Sequence, residues 1–133
     1  MNQETVGNEP MAYFYDTYAL YSIALGRENY AEFSKGYKIV TTIMNLYELY
    51  YSLIKEDEDK LAEEFFSRLI GSCIKIIPED IKAAAKFRLK NTRNDISFID
   101  SLGYTISLRI GLKFLTGDEQ FKNLNNTKFV KEK

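Results

Sequence analysis

The sequence predicts an α/β domain built on a mostly parallel sheet of four to five strands. Three observations lead there. Short apolar runs alternate with stretches of helical periodicity along the chain. Glycine, proline or a capping residue punctuates most boundaries between them. Asp16 and Asp118 directly follow or closely follow two of the strand-like runs, where open α/β sheets bind their ligands.

The elements follow in order. Residues 1–10 are polar and are expected to form a flexible extension, with the domain spanning 11–131. Residues 12–15, Ala-Tyr-Phe-Tyr, read as a buried strand ending at Asp16. Residues 17–25 and 28–35 read as short helices separated near Gly26, and residues 36–41 as the second strand. Thr42 caps a helix to about Lys55, in which Leu46, Leu49, Tyr50, Leu53 and Ile54 keep helical spacing. The acidic run 56–59 starts another helix, a favourable place for negative charge beside the helix dipole. Leu61, Phe65 and Leu69 form its inner face with Ala62, Phe66 and Ile70.

Residues 73–77 read as the third strand, and Pro78 opens a helix to about Lys90 in the favoured first-turn position. After a polar loop at 91–95, Ser97 starts a helix to about Ile110, with Gly111 as its stop. Residues 113–116 form the fourth strand, Asp118 caps a short helix at about 120–124, and residues 128–130 form a last edge strand. The crossover rule for parallel strands gathers their carboxyl ends on one edge.

Composition narrows the chemistry. The 133 residues are 45% hydrophobic and 28% charged, ordinary for one globular domain. No apolar run reaches the length of a membrane-spanning helix, and residues 1–10 lack the basic and apolar regions of a signal peptide. A cytoplasmic location is expected. There is no histidine, which removes Ser-His-Asp and Cys-His constellations, His-ligated zinc and histidine general bases. The single cysteine, Cys73, lies in an apolar run and reads as structural. The net charge of −1 provides no overall basic field for nucleic acid. An acidic metal site would itself lower the charge and bridge to phosphate through the ion.

Four carboxylates then stand out: Asp16, Glu48, Asp100 and Asp118. Each has an ordinary structural role to weigh against a site role. Asp16 and Asp118 are plausible helix caps. Glu48 aligns with Asn45 and Ser52 on a polar stripe that could face solvent. Asp100 sits three residues after Ser97, as in a capping box. Its helix is unusually apolar, however, so a carboxylate near its start must be paired, capped or bound to a cation. All four point at one sheet edge, and like charges held close call for a cation or protons. Hard divalent cations take oxygen ligands, so Mg²⁺ or Mn²⁺ is the expected cofactor.

These segments resemble the PIN-domain ribonucleases, most closely the VapC-type toxins of toxin–antitoxin pairs. The resemblance rests on residues 13–20, Tyr-Phe-Tyr-Asp-Thr-Tyr-Ala-Leu, and residues 42–49, Thr-Ile-Met-Asn-Leu-Tyr-Glu-Leu. It continues in residues 97–107, Ser-Phe-Ile-Asp-Ser-Leu-Gly-Tyr-Thr-Ile-Ser, and in the run Lys113 to Phe121 containing Thr116-Gly-Asp118. It covers roughly residues 12–130. It implies a three-layer α/β/α fold and metal-dependent RNA cleavage, with Asp16, Glu48, Asp100 and Asp118 in the acidic motif positions. Thr17, Asn45 and Thr116 are the expected supporting groups. The segment after Asp100 departs from the family's more usual alanine-rich run, which bears on packing.

The resulting expectation is hydrolysis of RNA phosphodiester bonds, with Asp16 and Asp100 as direct metal ligands and Glu48 and Asp118 completing the site. Arg88, Lys90 and Arg93 are candidate phosphate contacts on single-stranded or looped RNA, or else an ordinary solvated helix end. The resemblance implies a homodimer and an antitoxin partner, and Tyr13, Tyr18, Tyr21, Tyr47 and Tyr51 are candidates for surface contacts beyond one core. The alternatives are a housekeeping RNA-processing nuclease and a non-catalytic domain binding RNA or protein. Phosphotransfer on Asp16 is disfavoured: Thr17 and Tyr18 stand where such sites carry a second acid, and Lys113 precedes its strand.

Overall fold

The computed structural model describes residues 5–6 and 9–131, with side chains from residue 11 onward. The central strand is β3 (Ala12–Tyr15), buried at all of its residues. Its side chains alternate between two cores, as strand geometry requires. Tyr13 and Tyr15 enter one core, whereas Phe14 enters the other. The last strand of the buried pair, β5 (Phe114–Thr116), repeats this: Phe114 packs with Phe14, and Leu115 packs with Tyr13 and Tyr15. A strand buried on both faces is the signature of a parallel sheet covered by helices.

That sheet has four strands, all parallel, in the order β4-β3-β5-β6, where β4 is Lys38–Val40 and β6 is Thr127–Phe129. Helices α1 (Thr17–Ala24), α2 (Ile43–Lys55) and α3 (Asp59–Leu69) cover one face. Helices α4 (Pro78–Lys90) and α5 (Phe98–Ile110) cover the other. The expected three-layer α/β/α architecture is therefore present.

The caps read from sequence act as such. Asp16, Thr42 and Ser97 accept from the N–H three residues on, and Gly111 ends α5 in the left-handed region at φ 74°. Pro78 opens α4. Two expected helices are tighter than foreseen. Residues 28–35 contain a 3₁₀ helix at Glu28–Phe33, and the segment after Asp118 contracts to a 3₁₀ turn at Glu119–Phe121. In the first, the three-residue period stacks Tyr30 and Phe33 into the same core.

The expected strand at 73–77 is not one. The chain touches the sheet through a single parallel bridge, Thr41 to Cys73. Thr41 N–H donates to Ser72 O and Ile74 N–H donates to Thr41 O. Beyond Thr41 the neighbouring chain turns into α2, so no strand remains for residues 74–77 to pair with, and Ile74 and Ile76 pack on the α4–α5 core instead. Residues 1–4 and 7–8 of the expected extension lie outside the described residues. Thr5–Val6 and Glu9–Pro10 pair as short antiparallel strands β1 and β2.

One close approach sets the depth of α5. A Cβ at Gly103 would lie 2.9 Å from the Phe14 ring and 3.3 Å from the Phe114 ring. Both rings are fully buried and stacked on each other, so neither can yield. Overpacking of this kind costs about 1–3 kcal/mol. Gly103→Val is expected to lower the urea midpoint by the equivalent of about 2 kcal/mol with an unchanged m-value. Wild-type stability in that variant would remove the contact from this account.

Candidate active site

The strand order reverses between β3 and β5. The chain leaves β3 toward β4 on one side and leaves β5 toward β6 on the other. In open α/β sheets the crevice at such a point, beyond the strand carboxyl ends, is where ligands bind. Asp16 follows β3 immediately and Asp118 lies just past β5. Glu48 projects from α2, which follows β4, and Asp100 lies in the first turn of α5.

Asp16 is buried and performs two tasks. Its Oδ1 accepts from the Ala19 N–H at 2.8 Å, capping α1. Its carboxylate also takes the Thr116 hydroxyl. Thr116 Oγ1 in turn accepts from the Asp118 N–H at 3.0 Å, so one threonine links the two strand-end acids. Asp118 Oδ1 caps the following turn through the Gln120 N–H at 3.0 Å. The capping roles are real, and each leaves a carboxylate oxygen uncommitted by the cap.

Glu48 is held by a directional chain of hydrogen bonds. Thr42 Oγ1 donates to Asn45 Oδ1 at 2.6 Å, and Asn45 Nδ2 donates to Thr17 Oγ1 at 3.1 Å. Thr17 Oγ1 donates onward to Glu48 Oε1 at 2.6 Å. Because the Asn45 amide is fixed at both ends, the Thr17 hydroxyl has its proton directed at Glu48. Thr17 and Asn45, the expected supporting groups, both lie in this chain. Thr42 caps α2 as expected, and its second bond to Asn45 depends on a rotamer that spacing does not encode.

Electrostatic coupling shows that the four acids share one region. Burial raises Asp16 well above the usual carboxylate range, and the Asp100 and Asp118 charges raise it further, against the Thr116 and Ala19 hydrogen bonds. Asp100 is pushed up to about 7, first by burial, then by the Glu48 and Asp118 charges. Each cluster member thus acts on at least one other.

Among the described residues, no three acidic, histidine or cysteine side chains close into a metal cage. The donor set nevertheless fits a hard divalent cation. It is all oxygen, it includes a buried carboxylate whose main charged neighbours are other carboxylates, and such a group is relieved by a cation or a proton. Mg²⁺ keeps several waters and needs only one or two direct carboxylates.

The other candidates fall elsewhere. Arg88 Nε donates to the Ile96 carbonyl at 2.8 Å and its guanidinium lies 3.9 Å from the Phe98 ring centroid, so it braces the loop before α5. Lys90 and Arg93 are exposed at the end of α4 and in the next turn. Tyr13 belongs to the core, Tyr18 and Tyr21 are half-buried beside it, and Tyr47 and Tyr51 are exposed. Cys73 is half-buried, and burial pushes its thiol up, in keeping with a structural role. No described helix is long and apolar enough to cross a membrane.

The family model for the PIN domain matches residues 13–126. This chain belongs to the PIN domain family. Among solved structures, this PIN domain is similar to a toxin–antitoxin complex from Klebsiella pneumoniae, with a TM-score of 0.70 at 13% identity over 91% of this chain and 99% of that one. It is similar to VapBC2 from Rickettsia felis bound to a DNA fragment from their promoter, with a TM-score of 0.68 at 16% identity over 92% and 100%. It is also similar to VapC20 of Mycobacterium tuberculosis, a sarcin-ricin loop cleaving toxin, with a TM-score of 0.66 at 14% identity over 82% and 90%. At these identities the likeness concerns the fold. No curated protein matches the sequence.

The raised acids make a stability prediction. A carboxyl group whose folded pKa exceeds its unfolded value favours the folded state while protonated and opposes it once ionised. For Asp100 the loss develops between about 3.8 and about 7 as pH rises. In EDTA, Asp100→Asn is expected to melt close to the parent at pH 3.5 and clearly above it at pH 8. A gain that is equal at both pH values, or absent at pH 8, would contradict the coupling.

Proposed function

We propose that this PIN domain is a metal-dependent endoribonuclease, hydrolysing RNA phosphodiester bonds as the toxin of a toxin–antitoxin pair. One observation carries the reading: Asp16 and Asp100, each raised by burial and by neighbouring acids that include Glu48 and Asp118, at the strand-reversal crevice of a PIN fold. The toxin assignment, preferred over a housekeeping nuclease, draws its support from the likeness to toxin–antitoxin structures. An antitoxin partner and a homodimer belong to the same proposal.

In this reading Asp16 and Asp100 would hold Mg²⁺ or Mn²⁺ directly, and Glu48 and Asp118 would complete its surroundings directly or through water. The bound ion supplies a lower pKa for the attacking water and charge stabilisation at the leaving oxygen. The chain's own residues set the geometry. Thr116 fixes Asp16 relative to Asp118. Thr17 occupies Glu48 Oε1, which leaves Oε2 to orient a water or receive its proton. The buried floor under Asp16 strengthens each of these interactions by lowering the local dielectric.

Labelled single-stranded RNA is expected to be cut with Mg²⁺ or Mn²⁺ and to remain intact in EDTA. Asp16→Asn, purified identically, should lose more than about a hundredfold in rate while remaining folded. Undiminished cleavage by that variant would remove the site assignment. In a separate measurement, Mn²⁺ should raise the melting temperature of the parent and not of Asp16→Asn.

Thr17→Val removes the hydroxyl that orients Glu48 and keeps a similar shape. Loss of a group that orients a metal-site carboxylate costs about 10–100-fold in metal affinity or activity. That loss is the expected result, with Thr17→Ser restoring most of the rate. If Thr17→Val cleaves as the parent does, the chain through Asn45 has no bearing on catalysis.

A further inference from the structure

The cleft between α1 and α2 adjoins the carboxylate site through Thr17. It measures about 300 Å³ and is lined by Thr17, Tyr18 and Tyr21 from α1 and by Tyr51 and Lys55 from α2, with Glu56 at its end. Thr17 belongs to both places, since its hydroxyl donates to Glu48 Oε1 at 2.6 Å. On α2, Glu48, Tyr51 and Lys55 are spaced three and four apart, so they form one stripe beside α1. Seven residues of helix rise put Lys55 about 10 Å from Glu48 along that stripe.

From this geometry we infer that the α1–α2 cleft is a subsite for an unpaired nucleotide flanking the cut bond, its base stacked on tyrosine and its phosphate met by Lys55. The inference rests on the ribonuclease reading and adds a substrate requirement to it. Tyr18 is a fixed wall. It fills the space over Gly117, where a Cβ would fall 2.1 Å from its ring, and its ring centroid lies 6.1 Å from that of Tyr30. Tyr51 is 57% exposed, and Lys55 Nζ lies 6.0 Å from its ring centroid. At the far wall the Arg27 guanidinium lies 5.3 Å from the Tyr21 ring centroid.

Aromatic faces with a cation at the end suit a single strand, because every base offers a stacking face and every nucleotide a phosphate. A duplex keeps its bases stacked internally and cannot use such a cleft. Glu56 repels a phosphate beyond Lys55, which limits the subsite to about one nucleotide. A docked protein helix would instead seek an apolar groove. One lies on the other side of α2, lined mainly by Ile43, Tyr47, Tyr50 and Phe66. The α1–α2 cleft therefore favours the nucleotide.

The test is fluorescence anisotropy of a short labelled single-stranded RNA of random sequence. It is titrated in Mg²⁺ with the full chain carrying Asp16→Asn, so that binding is read without cleavage. On that background Tyr51→Ala should weaken binding about tenfold and Tyr51→Phe should restore it. Lys55→Ala should weaken binding and reduce the salt slope by about one. Tyr47→Ala, which removes an exposed tyrosine outside the cleft, should leave affinity unchanged. Circular dichroism melts check that these exposed substitutions leave the fold intact.

If the Asp16→Asn chain binds RNA and the unsubstituted chain cleaves it, but Tyr51→Ala and Lys55→Ala bind within about twofold of the background, the subsite is wrong and the nuclease reading stands. If the unsubstituted chain neither binds nor cleaves RNA, both fall. Equal weakening by Tyr47→Ala would also overturn the subsite. So would a Tyr51→Ala variant that keeps RNA affinity but changes the protein's mass in light scattering, since the surface would then be a protein contact.

Discussion

Repulsion among four carboxylates is the constraint around which the rest of the molecule is arranged. Asp16 and Asp100 are both raised by burial and by neighbouring acids, so the fold must supply from elsewhere the free energy this region costs. It does so along α5. The Ser97 hydroxyl caps its start at the Asp100 N–H, 3.1 Å away. Gly103 lets its middle settle on Phe14 and Phe114. Near its end Arg109 makes a two-point ion pair with buried Asp80, at 2.6 and 2.8 Å. That pair ties the last turn of α5 to the first turn of α4. A helix anchored at its start, middle and end can carry an unfavourable charge without swinging it away from the site.

Two of these carboxylates, Asp16 and Asp118, are both caps and candidate ligands, and the two roles reinforce each other. A cap engages one oxygen with a backbone N–H, as at Ala19 and Gln120. At Asp16 the Ala19 bond favours the ionised form, and at both residues the bond fixes the side-chain rotamer. The other oxygen is then presented in a set direction, which is the pre-organisation a hard cation needs. In such a residue, cap and ligand are not exclusive roles.

Much of this was legible because local chemistry and tertiary placement agree. The run at 12–15 is apolar on both faces because the central strand is buried on both faces. Asp16, Thr42, Ser97, Pro78 and Gly111 act where their side-chain and backbone preferences say they should. The segment at 73–77 misled because β-rich composition reports a half-buried extended chain, and whether a partner strand continues beside it is decided by Thr41 and Thr42 turning into α2. The Asp80–Arg109 pair joins residues 29 apart and leaves no periodic trace. The four acids were readable as members of one edge, whereas the relay through Thr42, Asn45 and Thr17 required side-chain directions.

Charge explains how an acidic protein of net charge −1 could act on a polyanion. A wide basic surface would bind RNA indiscriminately and would also neutralise the carboxylates that need a cation. Beside the α1–α2 cleft, cations stand next to rings, with Lys55 near Tyr51 and Arg27 near Tyr21. Binding would then come from a metal bridging carboxylate to phosphate at one point and from stacking at the next. Both contributions are short-ranged and need the strand in one register. On the proposed reading, a site built this way would gain little from non-specific encounter, and its selectivity would depend on whether an RNA offers an unpaired nucleotide beside the bond to be cut.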